Sequence, residues 1–388
     1  MDLKQAARDA VEQASGDLID ISHKIHANPE LNYEEHKASG WLADYLGANG
    51  MAVEKPYCGL ETAFVARGGS GPLHIAICAE YDALPDVGHA CGHNIIATAA
   101  AGAGLALARV ADEAGLTVSV IGTPAEEGGG GKIVLLNRGG FEGVNAAMMV
   151  HPSPMDLLLP SILAAQRLVV KYKGKAAHAS SAPQLGINAA DAMTVAQVAI
   201  GLLRQSMRST DRVHGIVTRG GEAPNIIPQD TSAAYSVRAR RVGELEQIRE
   251  KVVKCFEAGA VATGATLEIE GGDWAYSEMR HDADIANYYQ QNAEALGRAF
   301  PPVSPRIKES AGSTDMGNVS LAIPAIHPMI GIESFPAVNH QPEFTAACAT
   351  PVADKAVTDG AIAMAWTAID CASDTALRER LLAGPKAG

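Results

Sequence analysis

The sequence lacks the features that would place it on nucleic acid or in a membrane. It has no basic excess: 31 Lys and Arg stand against 44 Asp and Glu, for a formal charge of -13. Duplex binding needs a basic footprint and polybasic membrane docking needs clustered Lys and Arg, so neither reading applies. It has no apolar run of membrane-spanning length. The longest, residues 95–108, is mostly Ala and Gly and falls short of the ~20 residues such a helix needs. The opening MDLKQAARDAVEQ shows no apolar stretch with a small-residue cleavage site, so a cytoplasmic protein is expected. Cysteine is sparse. Six residues (Cys58, Cys78, Cys91, Cys255, Cys348, Cys371) scattered over 388 positions make no disulfide framework and fit a reducing setting. No repeat of 20–50 residues and no low-complexity tract is present.

What remains is a chain of ordinary globular composition, 47% hydrophobic and 19% charged, long enough for two or three domains at roughly 150 residues each. Apolar residues at helical spacing predict an opening helix over 3–27 that stops at Asn28-Pro29, and a second helix over 34–49. A strand–helix alternation follows: strands at Leu73–Ala79, 117–122 and 146–150, with helices at 95–115 and 131–138. Such alternation implies a parallel sheet with helices on its faces. The pattern then changes. Segments 167–173, 213–218, 231–238 and 265–269 alternate or run short, as half-solvated strands do, around helices over 188–205 and 242–262. Helices return over 282–298 and 351–372. The fold class expected is α/β: a main domain of residues 1–162 and 278–388 interrupted by a separate α+β domain, 163–277.

The chemistry-bearing residues cluster after the predicted strands. AEYDALPDVGHACGHN places Glu80, Asp82, Asp86, His89, Cys91 and His93 within one short loop. TPAEEGGGG places Glu126 and Glu127 after the next strand, and the third runs into His151. Far downstream, NHQPEF adds His340. In open α/β sheets, sites form outside the carboxyl ends of the strands. Imidazole, thiolate and carboxylate together suit zinc, cobalt, nickel or manganese better than magnesium or calcium. Five candidate ligands exceed one tetrahedral ion, whereas two ions about 3.5–4 Å apart would use them all. Cys91 is the natural bridge, since one sulfur can bind both. Of two adjacent glutamates, one can bind metal while the other faces water as general base.

These segments, with MVHP, KGKAAHAS and GGEAPNIIP in the same order, resemble the aminoacylase and carboxypeptidase-G-like metallohydrolases, on the branch holding auxin-conjugate amidohydrolases and aminobenzoyl-glutamate hydrolase. The resemblance spans almost the whole chain. It implies a zinc-peptidase-like catalytic domain with a mixed sheet, plus an inserted ferredoxin-like lid that also makes a homodimer. It implies two divalent ions (Zn, Mn, Co or Ni) held by Cys91, His93, Glu127, His151 and His340, with Glu126 as general base. His178 would stabilise the oxyanion, and Asn225 would bind substrate. Arg238 is a candidate carboxylate partner, because a guanidinium fork matches a carboxylate, and Ser313 would line the pocket. The implied activity is hydrolysis of the amide bond in an N-acyl or N-aroyl amino acid by a metal-bridging hydroxide. A dipeptidase or carboxypeptidase acting on small peptides is the alternative.

The sequence departs from many relatives at Asn94, where they carry Asp, and at Cys78, Ala79 and Glu80, where they carry Arg-x-Asp. Glu80 then becomes a candidate for orienting a ligand. A metal-independent Cys91–His93 thiol hydrolase is the rival from another class, and it leaves Glu126, Glu127 and His151 without a task. The Gly128–Gly131 run before Lys132 is no phosphate loop, since Glu126 stands where that motif needs Gly and Ile133 where it needs Ser or Thr. His327 and the remaining scattered histidines read as structural.

Overall fold

The computed structural model describes residues 2–272, 274–302 and 312–384. The chain forms two compact units, Met1–Ser161 with Met279–Gly388, and Ile162–Glu278.

The first unit contains helices α1 (Leu3–His26), α2 (His36–Ala48), α3 (His93–Ala114) and α4 (Gly131–Asn137), and strands β1 (Ala52–Glu54), β2 (Phe64–Gly69), β3 (Leu73–Ala79), β4 (Leu116–Gly122), β5 (Ala146–Met148) and β6 (His151–Ser153). Its central sheet runs β1-β2-β4-β3-β5 and then β11 (Ala325–Ile326). The β4, β3, β5 and β11 strands are mutually parallel, whereas β1 and β2 form an antiparallel edge. The strand–helix alternation thus describes the middle of the sheet, and the edge makes it mixed. Strand β3 shows why it is central. Ile75, Ile77 and Ala79 join one apolar cluster with α1 and α3, while Ala76 and Cys78 join another with Leu135 of α4. Both faces are covered, so the strand reads as a continuous apolar run.

Helix α3 carries Ala or Gly at half of its positions, and nearly all of these are buried. By length and composition it could cross a membrane, but here it is a core helix, packed with α1 and the long helix Pro351–Ser373 in one cluster. Small side chains let the helix axes approach closely, and Ala has the highest helix propensity. Gly115, with φ 69°, ends it by donating its N–H to the carbonyls of Ala111 and Asp112.

The expected strand over 146–150 stops at Met148. The chain breaks register there, and His151 opens β6, which pairs in parallel with β12 (Met329–Gly331) as a separate two-stranded sheet. That break carries His151 out of the main sheet.

The second unit has the order β7 (Ala164–Lys173), α5 (Ala189–Leu203), β8 (Arg212–Arg219), β9 (Asp230–Ala239), α6 (Val242–Thr263), β10 (Thr266–Glu270). The strands form an antiparallel sheet in the order β10-β7-β9-β8, a ferredoxin-like βαββαβ topology. Burial along β9 alternates at every residue. Inward Ala233, Tyr235 and Val237 meet Met193 of α5 and Val252 and Phe256 of α6. Arg167, Val169, Ser236 and Arg238 stand on the opposite face of the sheet, the first two exposed and the last two half-buried.

Candidate metal centre and active site

The carboxyl ends of the parallel strands deliver the site. After β3 comes the loop bearing Glu80, Asp82 and Cys91, and His93 opens α3. After β4 come Glu126 and Glu127. After β5, His151 opens β6. Ligand atoms of Cys91, His93 and His151 lie within 4.8 Å of one another, and so do those of Cys91, Glu127 and His340. Cys91 belongs to both sets. Glu126 lies equally close to His93 and Glu127.

Local backbone holds these donors in place. Gly92, between two of them, has φ 71°, and a Cβ there would sit 2.8 Å from the Pro152 ring and 3.1 Å from the Cys348 sulfur. Only glycine permits both the left-handed turn and the close approach. The Glu-Glu turn is pinned from outside. Tyr33 donates its hydroxyl proton to the Gly129 carbonyl at 2.7 Å, and the Ala125 N–H donates to the buried Glu35 carboxylate at 2.9 Å. His340 has φ 71° and donates its backbone N–H to Ala90 at 2.9 Å, which ties a distant loop to the residue before Cys91.

Hydrogen bonds leave the ring nitrogens aimed at the cluster. His93 Nδ1 faces Asp82 Oδ1 at 3.1 Å, and the other Asp82 oxygen accepts the Glu127 N–H at 2.9 Å. His151 Nδ1 lies 2.8 Å from the Pro152 carbonyl. A carbonyl only accepts, so that nitrogen carries the proton and Nε2 keeps its lone pair. A carboxylate or carbonyl behind a ligating imidazole is the usual arrangement around a metal. His93 Nε2, Glu127 Oε1 and Glu80 Oε2 are buried with no hydrogen-bond partner among the described residues. Leaving such atoms unsatisfied costs about 1–3 kcal/mol each, more when charged, and a cation removes that cost.

Electrostatics point the same way. Burial opposes a charge on His93, but Asp82, then Glu80 and Glu127, outweigh it and lift its pKa to about 10. Burial raises Glu126 well above the ordinary carboxylate range, and Glu80, Glu127 and Asp315 add to the rise. Burial, then Glu127, raises the Cys91 thiol likewise. His151 is pushed down to about 4 by burial, so its imidazole is neutral and ready to ligate. The excess of buried negative charge, with soft sulfur and imidazole donors, fits a pair of transition-type divalent ions.

Three of the other expected site residues, His178, Asn225 and Arg238, belong to the second unit, and Ser313 belongs to the first. His178 and Asn225 are exposed neighbours in the second unit, joined where the Ala179 N–H donates to the Asn225 carbonyl at 3.0 Å. The backbone N–H groups of Ser180 and Ser181 donate to His178 Nδ1 at 3.3 and 3.2 Å, so a neutral His178 carries its proton on Nε2. Arg238 is half-buried on β9 of the same unit, and burial, then Arg167, disfavours its charge. Ser313 is half-buried in the first unit, two residues before Asp315.

Asp82, Lys132 and Asp315 carry no local sequence signal of their buried contacts, and neither does His327, a buried ring whose centroid lies 5.4 Å from that of His151. Asn94 is structural. Its amide donates to the Ser22 hydroxyl and the Cys348 carbonyl, both at 2.9 Å.

The model of peptidase family M20/M25/M40 matches residues 76–355. The chain belongs to this family. It is 39% identical over 391 residues to the Xaa-Arg dipeptidase of Mus musculus, covering 97% of this chain and 90% of that protein. It is 32% identical over 281 residues to one of the polypeptides of p-aminobenzoyl-glutamate hydrolase from Escherichia coli, covering 67% and 58%. Among solved structures, a putative aminohydrolase from methicillin-resistant Staphylococcus aureus superposes with TM-score 0.75 at 20% identity, over 95% and 99% of the two chains. A Bacillus subtilis dinuclear metal binding peptidase from the M20 family superposes with TM-score 0.68 at 22% identity, over 93% and 99%. The M20 chain described here is therefore a hydrolytic enzyme acting on amide or peptide bonds.

Proposed function

We propose that this enzyme hydrolyses a small amide substrate bearing a free carboxylate, with two divalent ions held by Cys91, His93, Glu127, His151 and His340. The observation that carries the reading is the pair of three-donor sets sharing Cys91. When bound, such ions supply Lewis acidity toward the amide carbonyl and make water a competent nucleophile near neutral pH. Glu126 takes the proton from the attacking water and passes it to the leaving amine, a task suited to a carboxyl whose affinity for protons is raised. His178 donates from Nε2 to the developing oxyanion. Asn225 and Arg238 bind the substrate carboxylate, and Ser313 lines the pocket.

The substrate is an N-acyl or N-aroyl amino acid. A dipeptide with a basic carboxyl-terminal residue is a second reading, favoured by the extent of the match to the Xaa-Arg dipeptidase. A panel of aminobenzoyl-glutamate, N-acyl amino acids and Xaa-Arg dipeptides, assayed after chelation and add-back of Zn, Mn, Co and Ni, separates the two. Activity that ignores chelator but falls to thiol alkylation would overturn both.

We assign the second unit as the lid and dimerisation module. Strand β8 is an edge, and Ile216, Val217, Val198 and Leu202 are exposed apolar residues of that unit, a composition that favours a partner surface. A monomer in light scattering at working concentration would count against it. The six free cysteines fit a cytoplasmic location, which fractionation of the producing cells tests.

A further inference from the structure

Behind the metal-ligand cluster lies a second group of charges that the mechanism above does not use. Lys132 is fully buried on the first turn of α4, and its Nζ donates to Glu80 Oε1 at 2.5 Å and to Asp315 Oδ1 at 2.7 Å. The Lys132 backbone N–H donates to the other Asp315 oxygen at 2.8 Å, so one residue engages both oxygens of that carboxylate. Glu80 and Asp315 are likewise fully buried. Oxygens of Glu80, Asp315 and Glu126 lie within 4.8 Å of one another. The remaining Glu80 oxygen has no hydrogen-bond partner among the described residues and stands 3.5 Å from His93 Nε2. One ammonium thus sits among three carboxylates, one of them the general base, and another looks out toward a metal-ligand imidazole.

Stability alone is a poor reason for this arrangement. A buried ion pair is often no better than apolar side chains of the same volume, because desolvation consumes much of its Coulomb energy. What the cluster provides is placement. Asp315 immediately precedes the helix Met316–Ala322, Glu80 follows β3 and Lys132 lies on the first turn of α4. The ammonium ties three separate elements to one point beside Glu126. With Oε1 engaged, Glu80 shows a single oxygen to the ligand cluster.

We propose that Lys132 is a positioning residue for the hydrolytic reaction, its buried ammonium fixing Glu80 and Asp315 so that Glu126 is held in line with the metal ligands. The proposal rests on the two-ion reading above. The test uses the full-length enzyme loaded with manganese or zinc. Lys132→Ala should still bind two ions per chain, measured by elemental analysis, while kcat falls at least 100-fold and KM stays within about threefold. Methylammonium or ethylammonium, small enough to enter the space left by the lysine, should restore kcat at least tenfold. Because Lys132→Ala leaves buried carboxylates uncompensated, it is paired with Lys132→Ala/Asp315→Asn. The double variant should recover the melting temperature of the ion-free wild type without recovering kcat. A kcat within threefold of wild type in either variant would overturn the proposal. So would a loss of ions and kcat together that no amine reverses. A wild-type chain that takes up no ions and hydrolyses none of the panel would overturn the two-ion reading itself, a result distinguishable from any of these.

Discussion

The two donor sets that share Cys91 are built differently. His93 is buried at the head of a core helix, with Asp82 behind it, and His151 opens a strand with its Nδ1 on a carbonyl. That half is fixed by the sheet. The other half depends on His340, whose side chain is 63% exposed and whose Nε2 lies 4.0 Å from Glu127 Oε2. It sits on a loop held by a backbone hydrogen bond to Ala90. A centre of this kind has one preorganised position and one completed by a loop, and loops lie at the low end of local stability. The two ions should therefore differ in affinity and exchange rate.

The largest expected effect tests what both halves serve. Glu126→Gln should lower kcat by about 10²–10⁴-fold, the usual contribution of a general base, while elemental analysis finds two ions as in wild type. Retained turnover would remove Glu126 from its role. The comparison itself is tested by two alanines. His93→Ala should strip the fixed position and lower ion content at stoichiometric loading. His340→Ala should keep one tight ion and weaken the second by more than about 10–100-fold, the range for losing only an outer-shell partner of a ligand. Equal losses in the two variants, read by titration calorimetry, would show the halves to be equivalent.

A smaller and continuous effect comes from pH. In the ion-free chain His93 has a pKa of about 10, and the Cys91 thiol is raised further than usual. Both must shed protons to ligate, so ion uptake releases protons and apparent affinity rises with pH. Below about pH 9 the slope should be at least about tenfold per pH unit. Calorimetry in buffers of different ionisation enthalpy reads the proton release directly, and a flat profile would contradict the assignment. The smallest effect is a control in the second unit. Lys173→Ala removes an exposed 3.4 Å ion pair with Glu268 and should change unfolding stability by less than about 1 kcal/mol.

What could be read in the sequence was what local pattern encodes. Strand Leu73–Ala79 and helix α3 stand out because apolar side chains on both faces, or Ala-rich spacing, leave little choice of structure. The donor side chains of the cluster and their place after strands were visible for the same reason. Strand β2 was missed because FVARGG ends in a charge and two glycines, and it is held by pairing with β4, which lies beyond β3 and α3 in the chain. The break at Met148 was missed because its cause is β12, far downstream. Lys132 was visible only as the end of a glycine run. Its partners Glu80 and Asp315 are 52 and 183 residues away, and no local period reports a pairing of that kind.

Helix α3 is a rigid spacer whose head bears His93, one of the clustered donors. Gly104 lies three turns below His93, about 16 Å along the axis, and an added methyl there would meet the Val120 side chain at 2.0 Å. At Gly102 it would meet Ala361 and Leu18, both at 2.9 Å. Close-packed interiors transmit such strain rather than absorb it. Substitutions deep in the hydrophobic interior, remote from any substrate, can thus act as levers on catalysis.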